Sequence, residues 1–362
     1  MIYSAVRIGE TVGMYPPGTA HTAVAAEPPC IPLTDIERAV DLQFGIGGNF
    51  SPLVSERDQN FHLRTAAGPE YVVKVTSSAE PAVVSAFQVA ALLHLDTIEA
   101  PRVPKVVRTL KGQASGDIQH AGKNYRLRVV SFLAGVPMAR VHMDRKMARD
   151  FGEALAGLDI GLHEFSHEGE RPVLLWDLQR AAELRELLDH IDDPTTRRSV
   201  THALHDFETV VKPKLGTLRC QVIHGDANPG NVLTDPRSHR VTGFIDFGDM
   251  VRAPLIFDVA IAAAYLRTED TDPLDLIAPF VDAYNATKPL EDIEMALLFD
   301  LVRARLATTI TLLFWRMGAR HHDDPYRKKT LDEEAGAIQF LDALDALGRA
   351  QFSSRLERAV RR

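Results

Sequence analysis

HGDANPGN, residues 224–231, decides how this chain is read. It places a carboxylate, Asp226, and an amide, Asn231, five residues apart in a segment that would turn without either. GFIDFGDM, residues 243–250, brings Asp246 fifteen positions after Asn231. Between them NVLT and RVTGF read as short strands around the turn Asp235-Pro236-Arg237-Ser238. A hairpin of that length returns its ends to one another and sets Asp246 beside Asn231. Asp226, Asn231 and Asp246 then converge as one base and two oxygen ligands for a hard cation. Mg²⁺ favours such a set, a few oxygens completed by substrate phosphates.

Upstream, the pattern is β-rich. SPLVSERDQNFHLRT alternates apolar and polar residues around a polar turn. GPEYVVKV puts Tyr71, Val73 and Val75 on one face and Val72 and Lys74 on the other. PRVPKVVRTL and NYRLRVVSFL are further strand candidates. Two helices are expected in this part. One is TDIERAVDLQF, with Thr34 and Glu37 as a capping box and Gly45 as its stop. The other is PAVVSAFQVAALLHL, with Val84, Phe87, Ala91 and Leu95 along one stripe. FGIGGNF, 44–50, follows a helix and lacks the full dinucleotide-loop spacing, so it reads as a helix stop and linker. After Gly135 long helical patterns take over, interrupted only by the motif region 220–250, and a last helix is expected over 329–361. The fold class is α+β in two lobes. Residues 1–33 form an arm, 34–130 a small β-rich lobe, 131–135 a connector and 136–362 a larger helical lobe with the nucleotide cleft between the two.

Transfer of a phosphoryl group needs a carboxylate on the attacking hydroxyl, oxygen ligands for the metal, and a strand lysine that steadies the phosphates. Lys74 lies about 150 residues before Asp226, in the other lobe. HGDANPGN with IDFGD resembles the aminoglycoside phosphotransferase and choline kinase superfamily, whose signature is His-x-Asp, then Asn, then Ile-Asp. The resemblance spans roughly residues 35–345. SERDQNFHL, YVVKV, LLWDL and FIDFGDM followed by FDVAIA are most similar to the hydroxylysine kinase branch. What the resemblance implies is a small-molecule kinase with Asp226 as catalytic base and Asn231 and Asp246 as Mg²⁺ ligands. Lys74 contacts the nucleotide phosphates, Ser55, Arg57, Asp58 and Gln59 form the turn over them, and backbone groups of Ser131, Phe132 and Leu133 hold the purine of ATP or GTP. The acceptor that the resemblance implies is a hydroxylated amine or amino acid such as 5-hydroxylysine. In one place the chain departs from the pattern. The helix after Lys74 offers Gln88 where a glutamate would pair with that lysine, and Glu80 is close to the helix start.

Each remaining residue has a plain use beside a functional one. His224 is a brace of the catalytic loop rather than a ligand. Asp258, buried, bonds backbone amides near that loop. Asp249 meets a substrate ammonium or is a turn residue. Trp176 and Asp177 line the acceptor pocket, or Trp176 packs in the core. Arg305, in the apolar run LVRARLATTITLLFW, needs a partner, either a carboxylate of the chain or one of the substrate. Lys74 is a phosphate ligand or a solvated strand lysine.

Composition excludes several classes. The chain of 362 residues is 45% hydrophobic and 25% charged with a net charge of −8, which gives it no bulk attraction to nucleic acid or anionic membrane. Two cysteines, Cys30 and Cys220, build neither a disulfide framework nor a zinc site. No secretory signal or membrane span is read, so a reducing cytoplasm is expected, with the protein as monomer or homodimer. A protein kinase is disfavoured, because no Ala-Pro-Glu motif follows Asp246 and a helical pattern begins by 254. Aminoglycoside or homoserine kinases and a non-catalytic nucleotide-binding pseudokinase are the alternatives.

Overall fold

The computed structural model describes residues 28–53, 55, 57–98, 101–238, 240–267, 272–318 and 325–360, with the backbone alone for 325–335. Most of the expected N-terminal arm therefore lies outside the described residues. Of its last positions, Ile31 is buried, and its N–H and C=O are both bonded by the Gln59 side chain, at 2.9 and 3.0 Å.

The first lobe is an antiparallel sheet under one helix. Helix α1 (Leu33–Phe44) is followed by β1 (Asn49–Leu53), β2 (Gln59–Arg64), β3 (Glu70–Val75), α2 (Ala82–Leu95), β4 (Gly116–His120) and β5 (Lys123–Ser131). The strand order is β1-β2-β3-β5-β4. Alternation decides the faces. Phe61, Leu63, Val73, Val75, Leu127 and Val129 point to one side and pack with Ile36, Val40 and Phe44 of α1. The opposite face carries the polar row Asn60, Lys74 and Arg128, aligned across β2, β3 and β5. On α2, Phe87, Ala91 and Leu95 join the large core of the second lobe.

Two local expectations are corrected. The capping box of Thr34 and Glu37 does not form. Helix α1 begins at Leu33 with Pro32 at its cap, no side chain bonds its first amides, and the Pro32 carbonyl accepts from Asp35 and Ile36. PRVPKVVRTL is not a strand either. Pro101 and Pro104 have no N–H to give a ladder, and the segment makes a single bridge, Val106 to Val130. It is tied to β5 through Val107 N–H to Val129 O at 2.9 Å and Ser131 N–H to Lys105 O at 2.8 Å.

The second lobe begins at the connector with β6 (Val136–Pro137) and is mainly helical. Its helices are α3 (Arg145–Gly161), α4 (Pro194–Asp206), α5 (Ile256–Ala263), α6 (Leu274–Thr287), α7 (Asp292–Gly318), α8 (Pro325–Leu347) and α9 (Arg349–Val360). Asp144 and Asp193 cap α3 and α4, accepting from Met147 N–H at 2.8 Å and Thr196 N–H at 2.7 Å. LQRAAELRELLDH is a run of 3₁₀ turns, Leu178–His190. The helix expected over 329–361 is two helices, broken at Gly348.

The motif region folds as read. β8 (Val232–Asp235) and β9 (Arg240–Phe244) form the hairpin, flanked by β6, while β7 (Cys220–Ile223) pairs with β10 (Val251–Pro254). The architecture is the two-lobed α+β fold, and the motif strands lie where the helical lobe meets the sheet. Among the described residues no helix is long and apolar enough to cross a membrane.

Helices α3 and α6 cross closely at Gly152, where a Cβ would sit 2.1 Å from the Phe280 carbonyl oxygen. Gly152→Ala must separate two buried helices, and overpacking of this kind costs roughly 1–3 kcal/mol. A urea titration should show the unfolding midpoint falling with the m-value unchanged.

Candidate active site

The loop 224–231 is held from below. Asp258, fully buried at the start of α5, accepts from the His224 and Gly225 amides, both at 2.8 Å. His224 is itself fully buried. Its Nδ1 accepts from the Asp226 amide at 3.3 Å, so Nε2 carries the proton and donates to the Ile245 carbonyl at 3.1 Å. The histidine thus links the loop to the segment that ends in Asp246. Gly225 has φ +75°, and a Cβ there would lie 2.3 Å from the Asp249 carbonyl oxygen. Only glycine lets the two loops approach this closely. Behind Asp258 lies Asp159, whose Oδ2 accepts from the Tyr284 hydroxyl at 2.6 Å. Burial, reinforced by Asp258, raises the Asp159 pKa well above the ordinary carboxylate value.

The hairpin brings the three motif residues together. Asn231 Nδ2 donates to Asp226 Oδ2 at 2.8 Å and to the Asp226 carbonyl at 3.0 Å, while Ile245 N–H donates to the Asn231 carbonyl at 2.9 Å. Asn228 Nδ2 gives Oδ2 a second bond at 2.9 Å. Asp246 is held in the left-handed region, φ 59° and ψ 79°, and its Oδ1 accepts from Gly248 N–H at 3.3 Å. A non-glycine residue in that region costs of order 1–3 kcal/mol and persists where the surroundings impose it. With Asn231 Nδ2 spent on Asp226, its Oδ1 is the side-chain atom left to ligate. Together with the Asp246 carboxylate it forms an all-oxygen set, which fits a hard divalent cation.

From the sheet, Lys74 Nζ reaches Asp246 Oδ1 at 3.7 Å across the cleft. Gln88 does not pair with Lys74. Its Oε1 accepts from Arg128 Nη1 at 2.6 Å, because Arg128, next to Lys74 in register, points the same way and is buried. Arg128 also donates to Thr76 Oγ1 at 2.9 Å and faces Asp58 at 3.7 Å. Sequence reasoning missed Arg128. Its signal was the polar face of β5, RLRV, directly opposite the YVVKV strand. Glu80 accepts from Ser85 Oγ at 2.5 Å.

Ser55, Arg57, Asp58 and Lys74 line one cavity of about 330 Å³ with Asp226, Asn231 and Asp246. Gln59 does not line it, since its side chain is bonded to Ile31. At the connector, the Ser131 amide donates to Lys105 O and the Phe132 amide to Glu70 O at 2.9 Å. The Phe132 ring stacks on His62 at 4.1 Å, and Leu133 packs against the backbone at Gly243. These three residues lie outside the cavity lining.

Trp176, Asp249, Tyr265 and Arg305 line the same cavity from the helical lobe. Arg57 Nη2 bonds Asp249 Oδ1 at 2.6 Å and so joins the two lobes. Arg305 is 2% exposed, and its partner is a carboxylate of the chain, Asp226 Oδ1 at 3.1 Å. Asp177 caps the following 3₁₀ turns, accepting from Gln179 N–H at 2.9 Å, and lines a separate apolar void instead. Tyr265 and Asn228 were not singled out from sequence. Nothing local marks Tyr265, which lies just past α5 and reaches the cavity only through the tertiary fold.

Electrostatics separates the two carboxylates. Burial raises Asp226 to about 7, opposed by Arg305 and reinforced by Asp249 and Asp246. Lys74, with help from Arg57, holds Asp246 below its ordinary value despite burial. One group is therefore poised as a proton acceptor near neutrality while the other stays ionised.

Residues 49–293 match the family model described as "Phosphotransferase enzyme family". The chain is 28% identical over 321 residues to the hydroxylysine kinase of Mus musculus, covering 82% of this chain and 85% of the relative. It is 26% identical over 287 residues to that of Danio rerio, covering 76% and 81%. Among solved structures, an amicoumacin kinase in complex with AMP-PNP and Ca²⁺ superposes with a TM-score of 0.66 at 17% identity, covering 88% of this chain and 95% of that one. That likeness speaks to the fold.

In the metal-free protein the Asp226 carboxyl should titrate with a midpoint about 7, and Asp246 should remain ionised through the neutral range. Carboxyl ¹³C resonances followed against pH, assigned with Asp226→Asn and Asp246→Asn, check both. A midpoint for Asp226 near the ordinary carboxylate value would contradict the poise described.

Proposed function

The chain belongs to the phosphotransferase enzyme family and is a small-molecule kinase, and we propose that it phosphorylates the side-chain hydroxyl of a hydroxylated amino acid of the 5-hydroxylysine type, with ATP or GTP as donor. The observation that carries this is the convergence of Asp226, Asn231 and Asp246 in one cavity with Lys74 from the opposite lobe. Asp226 accepts the hydroxyl proton as the new O–P bond forms and the bond to the leaving nucleoside diphosphate breaks. Lys74 meets the phosphates. Arg57, from the turn above, adds a second positive charge. Asn231 Oδ1 and Asp246 would hold Mg²⁺, which when bound neutralises phosphate charge.

The acceptor class is supported by the charge of the walls. A polycationic aminoglycoside asks for uncompensated acids. Here Asp226 faces Arg305, Asp246 faces Lys74, Asp249 faces Arg57 and Asp58 faces Arg128, while Glu80, also in the lining, is bonded to Ser85. Mixed signs suit a zwitterion. The similarity to hydroxylysine kinases over most of the chain points the same way. The enzyme is proposed to work in the cytoplasm as monomer or homodimer.

Diphosphate release with Mg²⁺, measured for ATP and for GTP against 5-hydroxylysine, homoserine, choline, ethanolamine and kanamycin, should select 5-hydroxylysine. Preference for kanamycin or homoserine would move the assignment to those classes. Asp226→Asn should lower kcat by about 10²–10⁴ with nucleotide binding retained, the range expected for loss of a general base.

A further inference from the structure

Arg305 has no role in the chemistry above, yet it is among the most constrained side chains in the cavity. It projects from the middle of α7 and is 2% exposed. Nη2 donates to Asp226 Oδ1 at 3.1 Å and to the Tyr265 hydroxyl at 3.3 Å, and Nη1 donates to the Trp176 carbonyl at 3.3 Å. The guanidinium lies over both rings, 5.4 Å from the Trp176 centroid and 5.7 Å from that of Tyr265. Both Nη atoms are engaged by the chain itself, while Nε is buried without a hydrogen-bond partner among the described residues.

The bonds to Asp226 divide unevenly between its oxygens. Oδ2 accepts from Asn231 Nδ2 at 2.8 Å and from Asn228 Nδ2 at 2.9 Å. Oδ1 accepts only from Arg305 among the described residues. A carboxylate offers about four lone-pair sites, two on each oxygen. Oδ2 is filled, and the open position is on Oδ1, the atom that Arg305 holds.

We propose that Arg305 is a positioning residue for phosphoryl transfer, turning Asp226 so that the open lone pair of Oδ1 takes the acceptor's hydroxyl proton. The proposal rests on Asp226 being the base. The hydroxyl proton moves to Oδ1, its oxygen forms the bond to the γ-phosphorus, and the nucleoside diphosphate leaves with the electrons of the broken P–O bond. Arg305 exchanges no proton. Its planar fork spans Asp226, Tyr265 and the Trp176 carbonyl together, which a single lysine ammonium cannot do.

The test is steady-state kinetics with both substrates on Arg305→Met, Arg305→Lys, Tyr265→Phe, Asp226→Asn and the double variant Asp226→Asn/Arg305→Met. Arg305→Met should lose about 100-fold in kcat, as expected for a base misplaced by about 1 Å. Both KM values should stay within about threefold, since binding is not what is lost. Arg305→Lys should recover part of the rate, and Tyr265→Phe, which removes one brace of the guanidinium, should show a smaller fall in kcat at unchanged KM. In the Asp226→Asn background Arg305→Met should add no further loss, because no base is left to place.

Wild-type kcat in the Arg305 and Tyr265 variants overturns the proposal. So does an equal loss from Arg305→Met with and without Asp226, which a purely structural role would give. If Arg305→Met fails to fold by circular dichroism, Arg305→Lys and Tyr265→Phe decide, and wild-type kcat in both overturns it. Turnover retained by Asp226→Asn is a different failure, that of Asp226 as base.

Discussion

The two hydrogen bonds that Asp258 accepts from the His224 and Gly225 amides are what the rest of the site hangs on. A fully buried carboxylate is tolerated only with such partners, and removing it would leave two amides unsatisfied in the core. Through them α5 sets the height of the loop. His224 then passes that position on to Ile245, and Gly225 lets the loop touch the backbone of Asp249. The Asp226 and Asp246 carboxylates come from different turns, yet one buried side chain helps to place both.

Above that base most of the acids in the cavity are compensated. Each acid paired in it faces a cation from another element: Asp226 from α7, Asp246 from β3, Asp249 from the turn after β1 and Asp58 from β5. Asp246 and Asp249 still repel Asp226, and the pairs offset that repulsion only in part. They also separate the carboxylates chemically. The buried Asp226 rises toward neutrality while Asp246, beside Lys74, stays ionised. The same surroundings that make the loop costly to build push its two acids in opposite directions.

Much of this was legible in the chain. Alternation in YVVKV told which face of β3 is buried, and Val73 and Val75 are in the core while Lys74 faces the cleft. The spacing from Asn231 to Asp246, with Asp235-Pro236 as the turn, specified a hairpin that closes on itself. Errors fell where a local signal had a competitor. Thr34 looked like a cap, but Pro32 two residues earlier already supplied the carbonyl that begins α1. Val103, Val106 and Val107 looked like a strand, but two prolines removed the donors a ladder needs.

By itself the sequence determined the two-lobed α+β plan and the convergence of Asp226, Asn231 and Asp246, because those follow from short-range periodicity and from the length of one hairpin. Which partner each charged side chain takes was decided only by the tertiary structure. Gln88 was open to Lys74 but belongs to Arg128, and Arg305 was open to a substrate but belongs to Asp226. Those pairings join residues 40 and 79 positions apart. They depend on how α2 and α7 are rotated and packed, a global minimum of core packing that no stretch of neighbouring residues encodes.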